Sequence, residues 1–310
     1  MNCVKSVEKF NTAPIKYIFV DNNSKKEVVD QLSQCFSTIF AEDYLEVGDN
    51  YSLNDPLPKF TFVKSKTNSG YASGNNKGLR LAYQDNQLEN ILILNNDILF
   101  IEDIIPGLEQ FFRNTADAAI VSPILYKKDL SDIDYNCARK ALPISAFIRG
   151  NFFYPFRWTF HLKTKPNWHK EMFLVKSKDF RTAEPIKIDL PSGSCMFTSK
   201  TLMHSLGDFD EHTFLYYEEN ILYAKIKRMG KCSYLLPNLK CIHLGAQTTN
   251  NSGSIFTLCE GMKSQKYYVL NYRRMSLPIK SIYLLSYASM MTYISLKGMV
   301  RRLLRCMDKS

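Results

Sequence analysis

Residues 91–100 read ILILNNDILF. Four apolar residues, Ile91 to Leu94, run without a polar break; Asn95, Asn96 and Asp97 follow together, and Ile98, Leu99 and Phe100 resume the apolar pattern. A short continuous run rich in β-branched residues predicts a strand buried on both faces, as in the middle of a parallel α/β sheet. Polar residues at the carboxyl end of such a strand stand where open α/β sheets bind their ligands. An Asp in that place, followed by more hydrophobics, is costly unless something satisfies it. A divalent cation carrying a phosphate is one such partner; an Asx turn closing the strand is the other reading.

Working outward, residues 15–20 (IKYIFV) predict another strand, ended by the polar residues Asp21, Asn22, Asn23 and Ser24. These turn the chain into a helix over residues 26–39, with Val28, Val29, Leu32, Phe36 and Ile39 on or near one face. Residues 2–10 read as part of a helix. A further apolar strand over 60–63 leads into a glycine- and asparagine-rich stretch at 68–78, a helix over 79–86, and then the strand at 91. Strand, polar turn and helix in repetition predict a parallel sheet with crossover helices. Gly70, Gly74 and Gly78 are spaced by four, which is not the GxGxxG of a dinucleotide fold, and no Gly-Lys-Ser/Thr of a Walker loop follows. Glycines allow close backbone approach to a ligand and the asparagines offer donors and acceptors; an ordinary loop and helix start is the alternative.

The chain has 310 residues, 45% of them hydrophobic, enough for one large core or two modest ones. Eight scattered cysteines without a CxxC pair suggest free thiols in a reducing compartment rather than a disulfide framework. The N-terminal residues lack an apolar core of signal-peptide type, so a cytoplasmic protein is expected. The formal charge is +10, but residues 261–310 hold ten Lys/Arg against one acid, Asp308, and so carry nine of those ten charges. A nucleic-acid binder needs basic and aromatic residues converging on the folded domain; a segregated tail argues against nucleic acid as partner. Within that tail, residues 281–296 (SIYLLSYASMMTYISL) are apolar but short of the ~20 residues of a spanning helix. Ser286, Ser289, Thr292 and Ser295 recur every three residues as a polar stripe, with basic residues bracketing both ends. That pattern fits a helix in the interface of an anionic membrane; packing on the body is the alternative.

Two carboxylate clusters lie in the second half, Asp210-Glu211 and Glu218-Glu219. A helix predicted over 219–229 places the second pair at a helix N-terminus, where negative charge is favoured for structural reasons alone. Between the halves, residues 118–190 are irregular and aromatic, including Phe147, Phe152, Phe153, Trp158, Phe160, Trp168 and Phe173 interleaved with Arg149, Arg157, His161, Lys163 and Lys165. Acceptor contact and a hydrophobic lid are equally compatible with that composition.

Six stretches occur in order: VDNNS at 20–24, NSGYASGNNKGL at 68–79, LNND at 94–97, PSGSCMF at 191–197, GDFDEHTFLYYEENIL at 207–222 and HLGAQTT at 243–249. Together they resemble the family 2 glycosyltransferases, specifically the bacterial rhamnosyltransferase-like members that build capsule and O-antigen. The resemblance implies an α/β fold of GT-A type, Rossmann-like, with a mostly parallel central sheet, flanking helices and here a C-terminal helical basic tail. It divides the chain into a nucleotide-sugar-binding half (1–117), an acceptor and catalytic-base half (118–255) and the tail (256–310). It implies that Asp21 reads the base or ribose, and that Asn23, Asn68, Gly70, Asn75, Asn76, Asn95 and Asn96 line the nucleotide-sugar site. Asp97 and His243 match the metal-binding positions, with Mg²⁺ or Mn²⁺ expected because both take oxygen ligands and substrate phosphates. Asn95 stands where a DxD element has its first acid.

Glu219 matches the general base for inverting transfer, with Glu218 the next candidate; the family usually has Glu-Asp here, so Glu219 is longer by a methylene. The implied partners are a nucleoside-diphosphate sugar, a glycan or lipid-linked glycan acceptor, and an anionic membrane on its inner face. One departure stands out. Family members begin with an apolar strand ahead of the first helix, and the fourteen residues before Ile15 leave room for the helix but not that strand. A catalytically inactive, membrane-recruited relative is the alternative reading.

Overall fold

The computed structural model describes residues 2–159, 183–245 and 254–307. Its first apolar runs pair as a small parallel sheet: β1 (Tyr17–Asp21), β2 (Tyr44–Gly48) and β3 (Phe60–Lys64), in the order β1-β3-β2. Helices α1 (Asn2–Phe10) and α2 (Lys26–Phe40) close over it. Phe36, Phe60 and Phe62 are fully buried beneath them, with ring centroids 4.4 Å apart for both Phe36–Phe60 and Phe40–Phe60. Each such ring pair adds about 0.5–1.5 kcal/mol beyond its buried area.

The glycine-rich stretch is helical rather than a loop, since α3 runs Gly70–Gln84. Gly70, Gly74 and Gly78 fall on one helix face at intervals of four. A Cβ at Gly78 would meet Val20 and Ile18 of β1 at 3.3 and 3.5 Å, and one at Gly74 would meet Asn22 at 3.3 Å. Close packing of helix on strand outweighs the ~1 kcal/mol that each glycine costs a helix.

The larger sheet comprises β4 (Asn90–Leu94), β5 (Ile98–Phe100), β6 (Ala118–Lys127), β8 (Ile186–Ile188), β10 (Cys195–Ser199) and β11 (Cys232–His243). Its order is β4-β10-β6-β11-β5, with β8 also on β11, and β7 (Ala138–Arg139) with β9 (Leu190–Pro191) forms a separate two-stranded ribbon. Only β6 and β11 run parallel; β4–β10, β10–β6, β11–β5 and β11–β8 are antiparallel. The expectation of a mostly parallel central sheet therefore holds for the small sheet and is corrected for the large one, which is mixed. The strand at 91–94 is likewise not a central strand buried on both faces: β4 ends the strand order, and Ile91, Leu92 and Leu94 are half-buried.

Only residues 95–97 separate β4 from β5, although the two occupy opposite ends of that order. The sheet must curl until its ends meet at this turn. Its core holds Ile98, Phe100, Leu108 of α4 (Ile105–Asn114), Val121, Leu125, Leu235 and Cys241. Among the described residues the two sheets share no ladder: β1 pairs only with β3, and β4 only with β10. Helix α1 spans them on its apolar side, with Val4 in the phenylalanine cluster and Cys3 and Val7 in the large core.

The remaining helices are α5 (Ile144–Thr159), α6 (Lys200–Ser205), α7 (Glu218–Arg228), α8 (Ile255–Tyr272) and α9 (Leu277–Met307). Tyr283, Ser286, Met290 and Ile294 of α9 face inward, while Leu277, Leu285 and Met299 on its other face are 79%, 66% and 60% exposed. Ser286 is buried and donates to Tyr283 O at 2.7 Å. The Ser/Thr series therefore winds around the helix instead of forming one exposed polar stripe, and the exposed face is rich in apolar residues. No described helix is long and apolar enough to cross a membrane. Phe160, His161, Lys163, Lys165, Trp168 and Phe173, and residues 246–249, lie outside the described residues.

Candidate active site

The first wall of the site is the carboxyl end of β1. Asp21 is buried there and its Oδ2 accepts from Ser24 N at 3.0 Å. Asn22 Nδ2 donates to Asn68 Oδ1 at 3.0 Å and to Gly70 O at 2.9 Å, joining the β1 turn to the start of α3. Asn23 is exposed, in the left-handed region at φ 64°. Gly70 has φ 92°, and a Cβ there would lie 2.2 Å from Phe214 O, so only glycine fits. Asn75 donates back to Tyr71 O at 2.9 Å. Asn76 is buried and its amide is fully engaged: Nδ2 reaches Phe209 O at 2.9 Å and Glu211 Oε1 at 2.8 Å, and Oδ1 accepts from Phe209 N at 3.1 Å. The structure thus gathers Asp21, Asn68 and Gly70 around Asn22, a residue to which the sequence assigned no role, and turns Asn76 toward the acid-bearing loop.

The second wall is the turn between β4 and β5. Asn95 N donates to Ser194 O at 2.9 Å, Asn96 is exposed, and Asp97 is brought against His243 at the end of β11. Leu244 N donates to Asp97 O at 2.9 Å, which locks the two segments together. His243 Nε2 lies 3.3 Å from Asp97 Oδ2, and Nδ1 lies 2.7 Å from Asp134 Oδ2. Sequence reasoning missed Asp134, which sits in the irregular segment after β6 with no motif around it. Hydrogen bonds to Asp134 and Asp97 push the imidazole pKa up to about 9. Burial works against ionised Asp134, but the His243 bond and the Asn136 amide hold its carboxyl below the usual range.

Asp97 Oδ1 is buried with no hydrogen-bond partner. Among the described residues no cluster of three or more His, Cys, Asp or Glu side chains is arranged to hold a metal ion. One carboxylate with an unused oxygen and one imidazole held from behind by a second carboxylate nonetheless fit a divalent cation whose remaining ligands are phosphate oxygens and water.

The third wall is the N-terminus of α7. Tyr216 and Tyr217 occupy the left-handed region at φ 70° and 73°, each costing a non-glycine residue about 1–2 kcal/mol. They deliver Glu218 and Glu219 side by side into different surroundings. Glu219 Oε1 accepts from Gly193 N at 3.2 Å and pairs with Arg139 at 3.2 Å. Glu218 is 6% exposed, and its Oε1 is buried without a partner. Burial, and then the neighbouring Glu219 charge, push the Glu218 carboxyl up to about 8. Tyr71 Oη donates to Gly193 O at 2.6 Å, and burial together with both glutamates raises that phenol well above its ordinary range.

A single dipeptide connects the second and third walls. Gly193 N holds Glu219 while the next residue's carbonyl, Ser194 O, holds Asn95 N, and adjacent Cα atoms are only ~3.8 Å apart. A Cβ on Gly193 would sit 3.1 Å from both Glu219 Oε1 and Tyr71 Oη, which accounts for the glycine. Asp210 anchors the acid loop from outside: its Oδ2 accepts from Tyr267 at 2.9 Å and Tyr272 at 2.5 Å. Those bonds and that of His212 bring its carboxyl down to about 2 against the opposing effect of burial.

Comparison with known proteins bears on the chain as a whole. The family model described as Glycosyl transferase family 2 matches residues 2–198, more than half of the chain. A curated relative, the low-salt glycan biosynthesis hexosyltransferase Agl10 of Haloferax volcanii, is 24% identical over 177 residues. That alignment covers 55% of this chain and 48% of the relative, so the match spans about half the relative's length. Among solved structures, GalNAc-T7, crystallised with UDP, GalNAc and Mn²⁺, is similar with a TM-score of 0.53 at 14% identity, covering 94% of this chain and 52% of that one. This last likeness is one of fold, and the fold is of GT-A type.

Proposed function

The chain belongs to glycosyl transferase family 2, and on that premise we propose that it is an inverting transferase moving a sugar from a nucleoside-diphosphate donor to a hydroxyl of a glycan or lipid-linked glycan. The observation that carries this reading is the Gly193-Ser194 bridge, which sets a carboxylate and a metal-type Asp–His pair on two sides of one short span. Glu219 is the base: it is held by Gly193 and Arg139 at the mouth of the site and takes the proton of the acceptor hydroxyl as the new bond forms. Asp97 and His243 are the residues that would hold Mg²⁺ or Mn²⁺, with Asp134 fixing the imidazole from behind. A bound cation there supplies neutralisation of charge on the departing diphosphate. Asp21, Asn68 and Gly70 form the wall against which the nucleotide packs, with Asn23, Asn75, Asn95 and Asn96 at its rim.

The finer assignment is a rhamnosyltransferase-like role in bacterial surface polysaccharide, on the inner face of the cell membrane, and rests on the ordered sequence motifs. Its membrane element is supported by the basic tail and by the exposed apolar face of α9, where Leu277, Leu285, Leu296 and Met299 stand out to solvent. Salt-sensitive cosedimentation with anionic but not neutral vesicles is the expected behaviour.

Calorimetric titration with UDP, dTDP and GDP, each with and without Mn²⁺, tests the core of the proposal. Metal-dependent binding of one nucleotide supports it and names the donor class. Binding of none sinks it in favour of the non-catalytic relative.

A further inference from the structure

The turn that presents the acid pair is held by a helix that lies beyond the family-matched span. Tyr217 is the N-cap of α7 and makes no capping bond with its side chain. Two bulky residues in succession in the left-handed region do not hold themselves there. The restraint comes from α8, through three residues on one of its faces. A Cβ at Gly261 would lie 3.2 Å from the Tyr216 ring; Ser264 Oγ donates to Leu215 O at 2.9 Å; Gln265 Nε2 donates to Tyr217 Oη at 2.9 Å.

Gln265 is itself fixed at its other end. Its Oε1 accepts from Asn151 of α5 at 2.9 Å and from Tyr283 of α9 at 3.3 Å. Asn151 also reaches Ser286 at 3.4 Å, and Asn151, Gln265, Tyr283 and Ser286 are all buried. Both ends of the amide are therefore used, and swapping its oxygen and nitrogen would set donor against donor at Asn151. A buried network in which both ends of the amide are engaged favours one arrangement. Toward the acid pair it reaches Tyr217, the residue next to Glu218.

We propose that Gln265 is a positioning residue for the acid pair, tying the Tyr216-Tyr217 turn to the three-helix packing of α5, α8 and α9 so that Glu219 meets Gly193. This inference rests on the reading of Glu219 as base. It assigns the C-terminal helices a part in the reaction centre, where their apolar packing alone implies only a scaffold.

The test compares Gln265→Leu, Tyr217→Phe, the double variant and Glu219→Gln. Donor turnover is followed with UDP-, GDP- and dTDP-sugars plus Mn²⁺, and crystal structures are determined for the native protein and Gln265→Leu. Gln265→Leu is expected to lower kcat at least tenfold with KM for the donor within twofold. Tyr217→Phe should give a similar loss, and the double variant no more than either alone, because both break the same bond. The crystal structure of Gln265→Leu should show the 216–217 turn out of the left-handed region and Glu219 parted from Gly193 N.

A Gln265→Leu protein with native kcat, or losses that multiply in the double variant, overturns the proposal, as does an unaltered turn in the crystal. If Glu219→Gln retains turnover, the base assignment itself fails, and with it this inference. If Glu219→Gln is inactive while Gln265→Leu is native, only the positioning role fails. Where no sugar of the panel is turned over, the crystal structures decide.

Discussion

At one end of the site an imidazole stands between two carboxylates; at the other, two adjacent carboxylates share one guanidinium, which pairs with only one of them. His243 lies between Asp97 and Asp134 and takes up a proton readily, so its one positive charge faces two half-buried carboxylates. Among the described residues the ion pair at this end is that of Arg139 with Glu219. The unfavourable charge falls on Glu218, which is buried and held protonated far into the neutral range. Identical adjacent side chains therefore acquire different states from their surroundings, as in sites that need one acid ionised and one neutral. Two carboxylates against one imidazole at the first end suit a place that takes a cation, and the split between a neutral Glu218 and an Arg139-paired Glu219 at the second suits a place that takes a proton.

The sharpest way to break this contrast is Glu219→Gln. Loss of a positioned base costs typically 10²–10⁴-fold in rate, so turnover should fall by that order while calorimetric donor binding stays within about twofold. The same change at Glu218 should leave most of the turnover, because Glu218 points into protein with an unpartnered oxygen. Equal losses from both would erase the distinction drawn between them.

Next in size are the changes at the histidine end. Asp134→Asn removes the carboxylate behind His243, and losing such an outer partner weakens metal binding about 10–100-fold. Titration with Mn²⁺ in the presence of the bound nucleoside diphosphate reads this directly, with no need for turnover. Asp97→Asn should abolish the metal dependence altogether. If Asp134→Asn binds Mn²⁺ as the native protein does, then the His243–Asp134 bond serves the fold and not the metal.

A third test exploits protonation. Because the Glu218 pKa is raised to about 8, the folded protein keeps a proton that the unfolded chain releases near the ordinary value of 4.5. Between those two values the native state binds more protons, so this group makes stability fall as pH rises, with its full contribution present only below the lower one. Asp210, brought down to about 2, contributes the opposite sign: its stabilisation is present above the ordinary carboxylate range and is lost as pH falls toward 2. Urea unfolding from pH 5 to 8 should show a declining trend in the native protein and a flatter one in Glu218→Gln.

How much of this could be read in the sequence differs between the two ends. Asp97 is legible because polar residues interrupt an apolar run there, and the Glu218-Glu219 pair because it opens a predicted helix, whereas His243 and the base role of Glu219 come from the family resemblance; β1, α2 and β3 follow from the apolar pattern. Direction and neighbour do not, because the apolar runs that became β10 and β11 carry no mark of which strand they pair with. The glycines at 70, 74 and 78 suggest close backbone approach to a ligand, or an ordinary loop and helix start, on local preference alone, whereas their spacing of four is the signature of a helix face pressed on β1. Arg139 and Asp134 belong to no motif in the sequence, and only the fold brings them to Glu219 and His243. Asn22 was passed over for Asn23, although its place between the β1 turn and Asn68 is what joins the two motifs.

The smallest predicted effect separates the two ends most cleanly. Helix α8 begins at Ser254, whose Oγ accepts from Thr257 N at 3.1 Å as an N-cap. Ser254→Ala should cost about 1 kcal/mol of stability, the usual worth of such a cap. Since α8 holds the acid loop through Ser264, Gln265 and the Tyr267–Asp210 and Tyr272–Asp210 bonds, any loss of function from this fraying belongs to the acid end. Turnover should fall a fewfold, and Mn²⁺ affinity should not move, because the described hydrogen bonds of Asp97 and His243 run to Asp134 and Leu244 and not to α8. A parallel drop in metal affinity would mean that the two ends share one cooperative support, and that the bridge at Gly193-Ser194 transmits disorder as well as fixing distance.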